Sequence, residues 1–143
     1  MFLSKDELQK IGFKTFGNNV LISNKCCIYS PQNIEIGNNV SGRVSIYSSS
    51  DDYTGMSMTN PMIPNEFKKV TNGKIHIKKH SIIGTGSVLL PNVNIGIGCS
   101  IYAQTLIKSN CKDFGIYSGN PSKLLGKRLK KFLDYEKKFI GVD

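Results

Sequence analysis

Aliphatic residues recur at every sixth position through the second half of the chain: Ile77, Ile83, Leu89, Ile95, Ile101 and Ile107. Two positions before each stands a second, mostly small series: Ile75, Ser81, Ser87, Val93, Cys99 and Thr105. Gly84 and Gly96 directly follow members of the first series. A period of six matches neither the 3.6 of a helix nor the simple alternation of a hairpin. A short unit repeated at fixed spacing is the mark of a solenoid, in which each repeat buries its apolar side chain against its neighbours. Three such units make about one coil, which predicts a parallel β-helix of triangular cross-section.

The first half carries a similar trace in Phe16, Ile22, Ile28, Ile34, Val40 and Ile46. A competing register starts at Ile36-Gly37 and moves Ile34 and Val40 into the small-residue series. Pro31 and Gln32 are expected to form a bulged corner where the register slips, because proline punctuates a strand pattern. Residues 1–15 read as an N-terminal arm or short helix, with Ser4 and Glu7 spaced as a capping box. The β-helix is expected over residues 16–118. Residues 51–73 are an ejected loop, since DDYTGMSMTNPMIPNEFKKVTNG has no six-residue period. Long loops in a regular repeat tend to be functional. Residues 119–143 are expected to hold a GNPSK motif and a C-terminal α-helix. Leu124, Leu125, Arg128, Leu129, Phe132 and Leu133 fall at helical spacings there, with Pro121 suited to the first turn.

Length sets one domain, at 143 residues. A short solenoid leaves its outer faces poorly buried, which favours oligomers. No stretch has the length of a membrane span, and the opening MFLSKDELQK lacks a secretory signal's apolar core, so the expected location is cytoplasmic. Cys26, Cys27, Cys99 and Cys111 form no C-x-x-C pair. Cys99 and Cys26 fall in inward slots and read as reduced packing residues. The net charge of +9 concentrates near the end, in Lys123, Lys127, Arg128, Lys130, Lys131, Lys137 and Lys138. That segment reads either as a docked amphipathic helix with a solvated basic face or as a phosphate-binding rim. Aromatic residues do not interleave with the basic ones, so nucleic acid is not an expected partner.

The repeats of residues 77–107, together with Gly119-Asn120-Pro121-Ser122-Lys123, resemble the hexapeptide-repeat acyltransferases. Segments 46–55 (IYSSSDDYTG), 59–61 (TNP) and 74–128 liken the chain to the sugar O-acetyltransferases of capsule and O-antigen synthesis. The resemblance implies a mainly β fold, a left-handed parallel β-helix, a homotrimer with active sites between subunits, and acetyl-coenzyme A as co-substrate without a metal. A sugar or nucleotide-sugar hydroxyl is the implied acceptor, with an amino sugar or a catalytically lapsed scaffold as alternatives. It further implies that Gly84, Gly86, Ser87 and Ala103 border the pantetheine arm. Gly119, Asn120, Lys123 and Arg128 then meet the nucleotide end, where two cations suit its phosphates.

Two departures stand out. Where such enzymes carry a catalytic histidine before the loop, this chain reads Tyr47-Ser48-Ser49-Ser50-Asp51. About two coils also look absent at Ser41-Gly42-Arg43. The two histidines are too few for a three-histidine zinc site. His76 lies between inward Ile75 and Ile77 and should point outward. His80 falls at a coil corner and is the expected general base, with Asp51 or Asp52 of a neighbouring chain orienting it or binding substrate. Tyr53, Asn60 and His76 are expected to shape the acceptor pocket.

Overall fold

A computed structural model of the chain describes residues 1–17, 20–37, 39–40 (backbone only) and 42–141. Three parallel sheets wrap one interior. The first face stacks Thr15–Phe16, Ile34–Ile36, Ile75–Ile77 and Asn94–Ile95. The second stacks Cys27–Tyr29, Ser45–Tyr47, Val88–Leu89 and Leu106–Ile107. The third stacks Asn39–Val40, Ile82–Ile83, Ser100–Ile101 and Gly115–Ser118. The chain visits the first, third and second faces in turn, as a triangular parallel β-helix requires.

The six-residue columns are the core. Ile36, Ile77 and Ile95 align on the first face, Ile46, Leu89 and Ile107 on the second, and Ile83 and Ile101 on the third. All are buried. The companion series is inside as well, with Ser81, Ser87, Val93, Cys99 and Thr105 enclosed. Interior hydroxyls need partners, and they have them: Ser81 Oγ lies 2.8 Å from the carbonyl oxygens of Lys78 and Gly96. Thr105 Oγ1 donates to the Tyr102 carbonyl at 2.7 Å. Cys99 fills its slot as a free thiol, while Cys26 is half-buried and packs against the core.

Both registers of the first half hold locally. Ile34 pairs with Ile75 and Ile36 with Ile77, so Ile36 occupies the aliphatic column. A 3₁₀ turn at Pro31–Asn33 supplies the slip. Val40 then pairs with Ile83, returning to the main register. Ser41 of the short joint lies outside the described residues. The stack nevertheless continues across it, since Ile28 pairs with Ile46 and Ile46 with Leu89.

Helix α1 spans Lys5–Ile11, and Ser4 and Glu7 form a reciprocal capping box at its start. The loop leaves the solenoid through a short antiparallel pair, Ser49–Ser50 with Thr71–Asn72. Helix α2 spans Lys131–Ile140, a later start than the sequence predicts. Residues Lys123–Lys127 instead form a strand antiparallel to Gly115–Ser118. The last strand of a solenoid presents unpaired backbone groups, and a returning segment that pairs with them outweighs local helical spacing. No helix among the described residues is long and apolar enough to cross a membrane.

Candidate active site

The three edges of the triangle carry different chemistry. The edge between the third and second faces is built from small residues. A Cβ on Gly84 would stand 2.5 Å from the Ala103 backbone nitrogen, so the two coils touch here. Gly86 holds a left-handed turn at φ +74. One coil on, Leu106 N–H donates to the Gly119 carbonyl at 3.0 Å and Ser122 N–H to the Leu106 carbonyl at 3.0 Å. Gly84, Gly86, Ala103, Gly119 and Asn120 therefore lie along one edge, with Lys123 at its end. Ser87 departs from this group. It is fully buried, and its hydroxyl donates to the Tyr102 carbonyl at 3.0 Å, so it faces the core and not a ligand.

Arg128 does not join Lys123. The strand Lys123–Lys127 holds them at its two ends, and five extended residues span roughly 16 Å. The helical reading would have kept them about 7.5 Å apart along the axis. Arg128 instead reaches the edge between the first and third faces. Its Nη1 donates to the carbonyls of His80 (2.8 Å) and Gly98 (3.1 Å). The guanidinium also stacks 4.3 Å over the Phe132 ring. His80 sits in this clamp, at a corner with φ +63. Its Nε2 lies 3.5 Å from Glu136 Oε2, and its ring centroid is 5.8 Å from that of Phe132. Only 20% of the His80 side chain is exposed.

The third edge bears the ejected loop. Tyr47, Ser49, Ser50, Asp51, Tyr53, Val88 and Leu90 line a cavity of ≈ 560 Å³ on the second face beside it. Asp51 is exposed at its rim. Asp52 serves the loop: its Oδ1 accepts from Thr54 Oγ1 (2.6 Å) and Thr54 N–H (2.8 Å), and its Oδ2 from Ser57 Oγ (2.9 Å). These bonds, led by the Thr54 hydroxyl, hold its carboxyl down to about 2. Both Asp52 oxygens are thus engaged within the loop, which makes the residue an organiser of that segment. Asn60 likewise turns its Oδ1 back to the Met62 N–H at 2.8 Å.

His76 points outward from the first face between buried Ile75 and Ile77. Its Nε2 is 3.3 Å from Glu35 Oε2, and Lys14 Nζ is 2.5 Å from Glu35 Oε1. The pair borders a second open cavity of ≈ 450 Å³ that includes Phe16, Gly37, Lys78 and Lys79. The Lys14 hydrogen bond, foremost, lowers the Glu35 carboxyl below its ordinary range. Sequence reasoning missed Glu35, although Ile34-Glu35-Ile36 matches Ile75-His76-Ile77 in pattern and register. It also missed the stack of Tyr29 on Tyr47, with centroids 4.7 Å apart and planes at 15°. The repeated triplet Ile-Tyr-Ser, at 28–30 and 46–48, was the available signal.

Within one chain, then, the small-residue edge, His80 and Asp51 occupy three separate edges. Among the described residues no three His, Cys, Asp or Glu side chains converge as metal ligands.

No family model matches the chain. It is 34% identical to the dTDP-4-amino-4,6-dideoxy-D-glucose acyltransferase of Escherichia coli over 181 residues, taking in 96% of this chain and 94% of that one. That alignment exceeds the 143 residues here. The relative therefore carries residues with no counterpart, on the order of two coils at roughly 18 residues each. AntD, an N-acyltransferase from Bacillus cereus solved with dTDP and 3-hydroxybutyryl-CoA, superposes with a TM-score of 0.76 at 32% identity, covering 98% of this chain and 96% of AntD. A maltose O-acetyltransferase from Clostridium difficile 630 shares the fold alone, with a TM-score of 0.62 at 19% identity over 81% of this chain and 59% of that one.

Proposed function

We propose that this chain, a left-handed parallel β-helix belonging to the hexapeptide-repeat sugar acyltransferases, transfers an acyl group from coenzyme A to the amino group of a nucleotide-linked amino sugar. The observation that carries the reading is Asp51 at the rim of the cavity, where a hydroxyl-acylating relative would hold a histidine. A sugar hydroxyl is a weak nucleophile and needs a base as the bond forms. An amine brings its own lone pair once neutral, and its protonated form is drawn to a carboxylate. Asp51 therefore fits an amine better than a hydroxyl. The relatives named for amino-sugar and N-acyl transfer support the same choice over the O-acetylation expected from the sequence.

In this reading the bound ammonium first releases one proton to solvent. The neutral amine nitrogen then attacks the thioester carbonyl carbon, the C–S bond breaks, and the departing thiolate takes the second proton that nitrogen loses. Asp51 holds the amine at the cavity. The small-residue edge with Gly84, Gly86, Ala103, Gly119 and Asn120 borders the pantetheine arm, and Lys123 offers a cation to the nucleotide phosphates. Since these lie on different edges of one chain, the site is completed by a neighbouring copy, most simply in a homotrimer. Tyr53, which lines the cavity, borders the acceptor.

The test combines acetyl-coenzyme A with dTDP-4-amino-4,6-dideoxyglucose, the acceptor that the Escherichia coli relative's name implies. Thiol release matched by a product heavier by one acyl group supports the reading. A folded chain that releases no thiol with both substrates saturating contradicts it, and leaves the lapsed scaffold.

A further inference from the structure

We propose that the stacked Tyr29–Tyr47 pair is the platform on which this chain receives the planar base of its acceptor. The inference rests on the nucleotide-linked reading above and deepens it. Tyr29 and Tyr47 are register partners on successive coils of the second face, both outward of buried or half-buried isoleucines. Ring centroids 4.7 Å apart and planes at 15° make this a face-to-face stack at the coil spacing. Tyr47 lines the cavity that holds Asp51, Tyr53, Val88 and Leu90. Tyr29 belongs to the last strand of that sheet toward the N-terminus, so its far ring face meets no further strand of the sheet. The residue is 52% exposed.

The Tyr29 ring stands outside the buried core and adds nothing to it. As the open end of a stack it offers a planar π-surface, and every nucleobase has one to match. The base lies on Tyr29 and extends the stack by one layer. The sugar then runs along the second face to the cavity, where Asp51 meets the amine. The joint placed at Ser41-Gly42-Arg43 falls between the two tyrosines in sequence. A longer relative with its additional coils at that point would separate them, so the platform would be a property of the shortened chain.

The experiment titrates dTDP, and separately coenzyme A, into the intact chain and into Tyr29→Ala, Tyr29→Phe and Tyr47→Leu. Tyr29→Ala and Tyr47→Leu are expected to weaken dTDP binding about tenfold, within the range a lost base–aromatic stack gives. Tyr29→Phe keeps the ring and binds dTDP as the parent does. Coenzyme A affinity stays unchanged in all three, which certifies that they are folded. If Tyr29→Ala binds dTDP as tightly as the parent while the parent acylates the nucleotide-linked amine, the platform is overturned and the function stands. If the parent itself binds no dTDP, the nucleotide-linked acceptor is overturned and the platform falls with it.

Discussion

Arg128 and His80 are joined through the backbone: the Arg128 Nη1 donates to the His80 carbonyl oxygen at 2.8 Å and to the Gly98 carbonyl at 3.1 Å. One guanidinium thus bridges two coil corners and places α2 against them. Phe132 stacks on the guanidinium, and Glu136 approaches the His80 imidazole. The geometry describes a clamp for the C-terminal segment. Arg128→Ala is expected to destabilise the fold by about 2 kcal/mol, the loss typical of hydrogen bonds from a charged donor, and to leave coenzyme A affinity within about twofold. Denaturant unfolding and calorimetric titration check the two halves; a large loss of coenzyme A affinity at unchanged stability would contradict the clamp.

His80 is itself held in that clamp, with its Nε2 3.5 Å from Glu136 Oε2, and it is expected to serve the clamp and not the acceptor. His80→Ala is expected to keep kcat within a few-fold, whereas Asp51→Asn should lower kcat/KM by at least about tenfold, the size of one lost charge-assisted contact. Initial rates of thiol release decide between them. A collapse of kcat in His80→Ala at intact stability would return the general base to that residue.

How much of this was legible beforehand depended on which interactions are periodic. The columns through Ile77, Ile83 and Leu89 could be read because each coil repeats the same burial at a fixed spacing. Pro31 announced the register slip for a local reason, since a proline cannot continue the ladder. The strand Lys123–Lys127 could not be read, because its leucines also satisfy a helical spacing and only the open edge of Gly115–Ser118 decides the matter. Nor could the Glu136 partner of His80 be foreseen, since nothing local to either residue records the approach. Asp51 was singled out by its departure from a family pattern, but whether Asp51 or Asp52 faces the cavity required knowing that Thr54 and Ser57 engage Asp52.

That engagement has a pH signature. Asp52 is ionised down to about 2 in the fold, against about 3.9 for a free aspartate. A depressed carboxyl contributes its stabilisation fully above the free value and loses it as pH falls through about 2. The loop should therefore keep its order at pH 4 and open as the pH drops toward 2. Rising pepsin cleavage within residues 51–73 over that interval is the expected result, and Asp52→Asn should make the loop more readily cleaved by trypsin at neutral pH. Equal cleavage of parent and variant would remove Asp52 as organiser.

Close coil contact sets a further expectation at Gly96. A Cβ there would stand 2.5 Å from the Asp113 backbone nitrogen, an approach that backbone cannot relieve by a side-chain rotation. Gly96→Ala should cost about 1–3 kcal/mol by overpacking. Thermal unfolding checks it, and an unchanged midpoint would mean that the coils separate at little cost.

The central claim is the choice of an amine over a hydroxyl. The most direct measurement compares kcat/KM for two acceptors that differ only at carbon 4 of the sugar, dTDP-4-amino-4,6-dideoxyglucose and its 4-hydroxy counterpart, at one saturating concentration of acetyl-coenzyme A. The account predicts turnover of the amine and at most a trace with the hydroxyl. Comparable or faster acylation of the hydroxyl would contradict it, and would require a base that Asp51 alone does not provide.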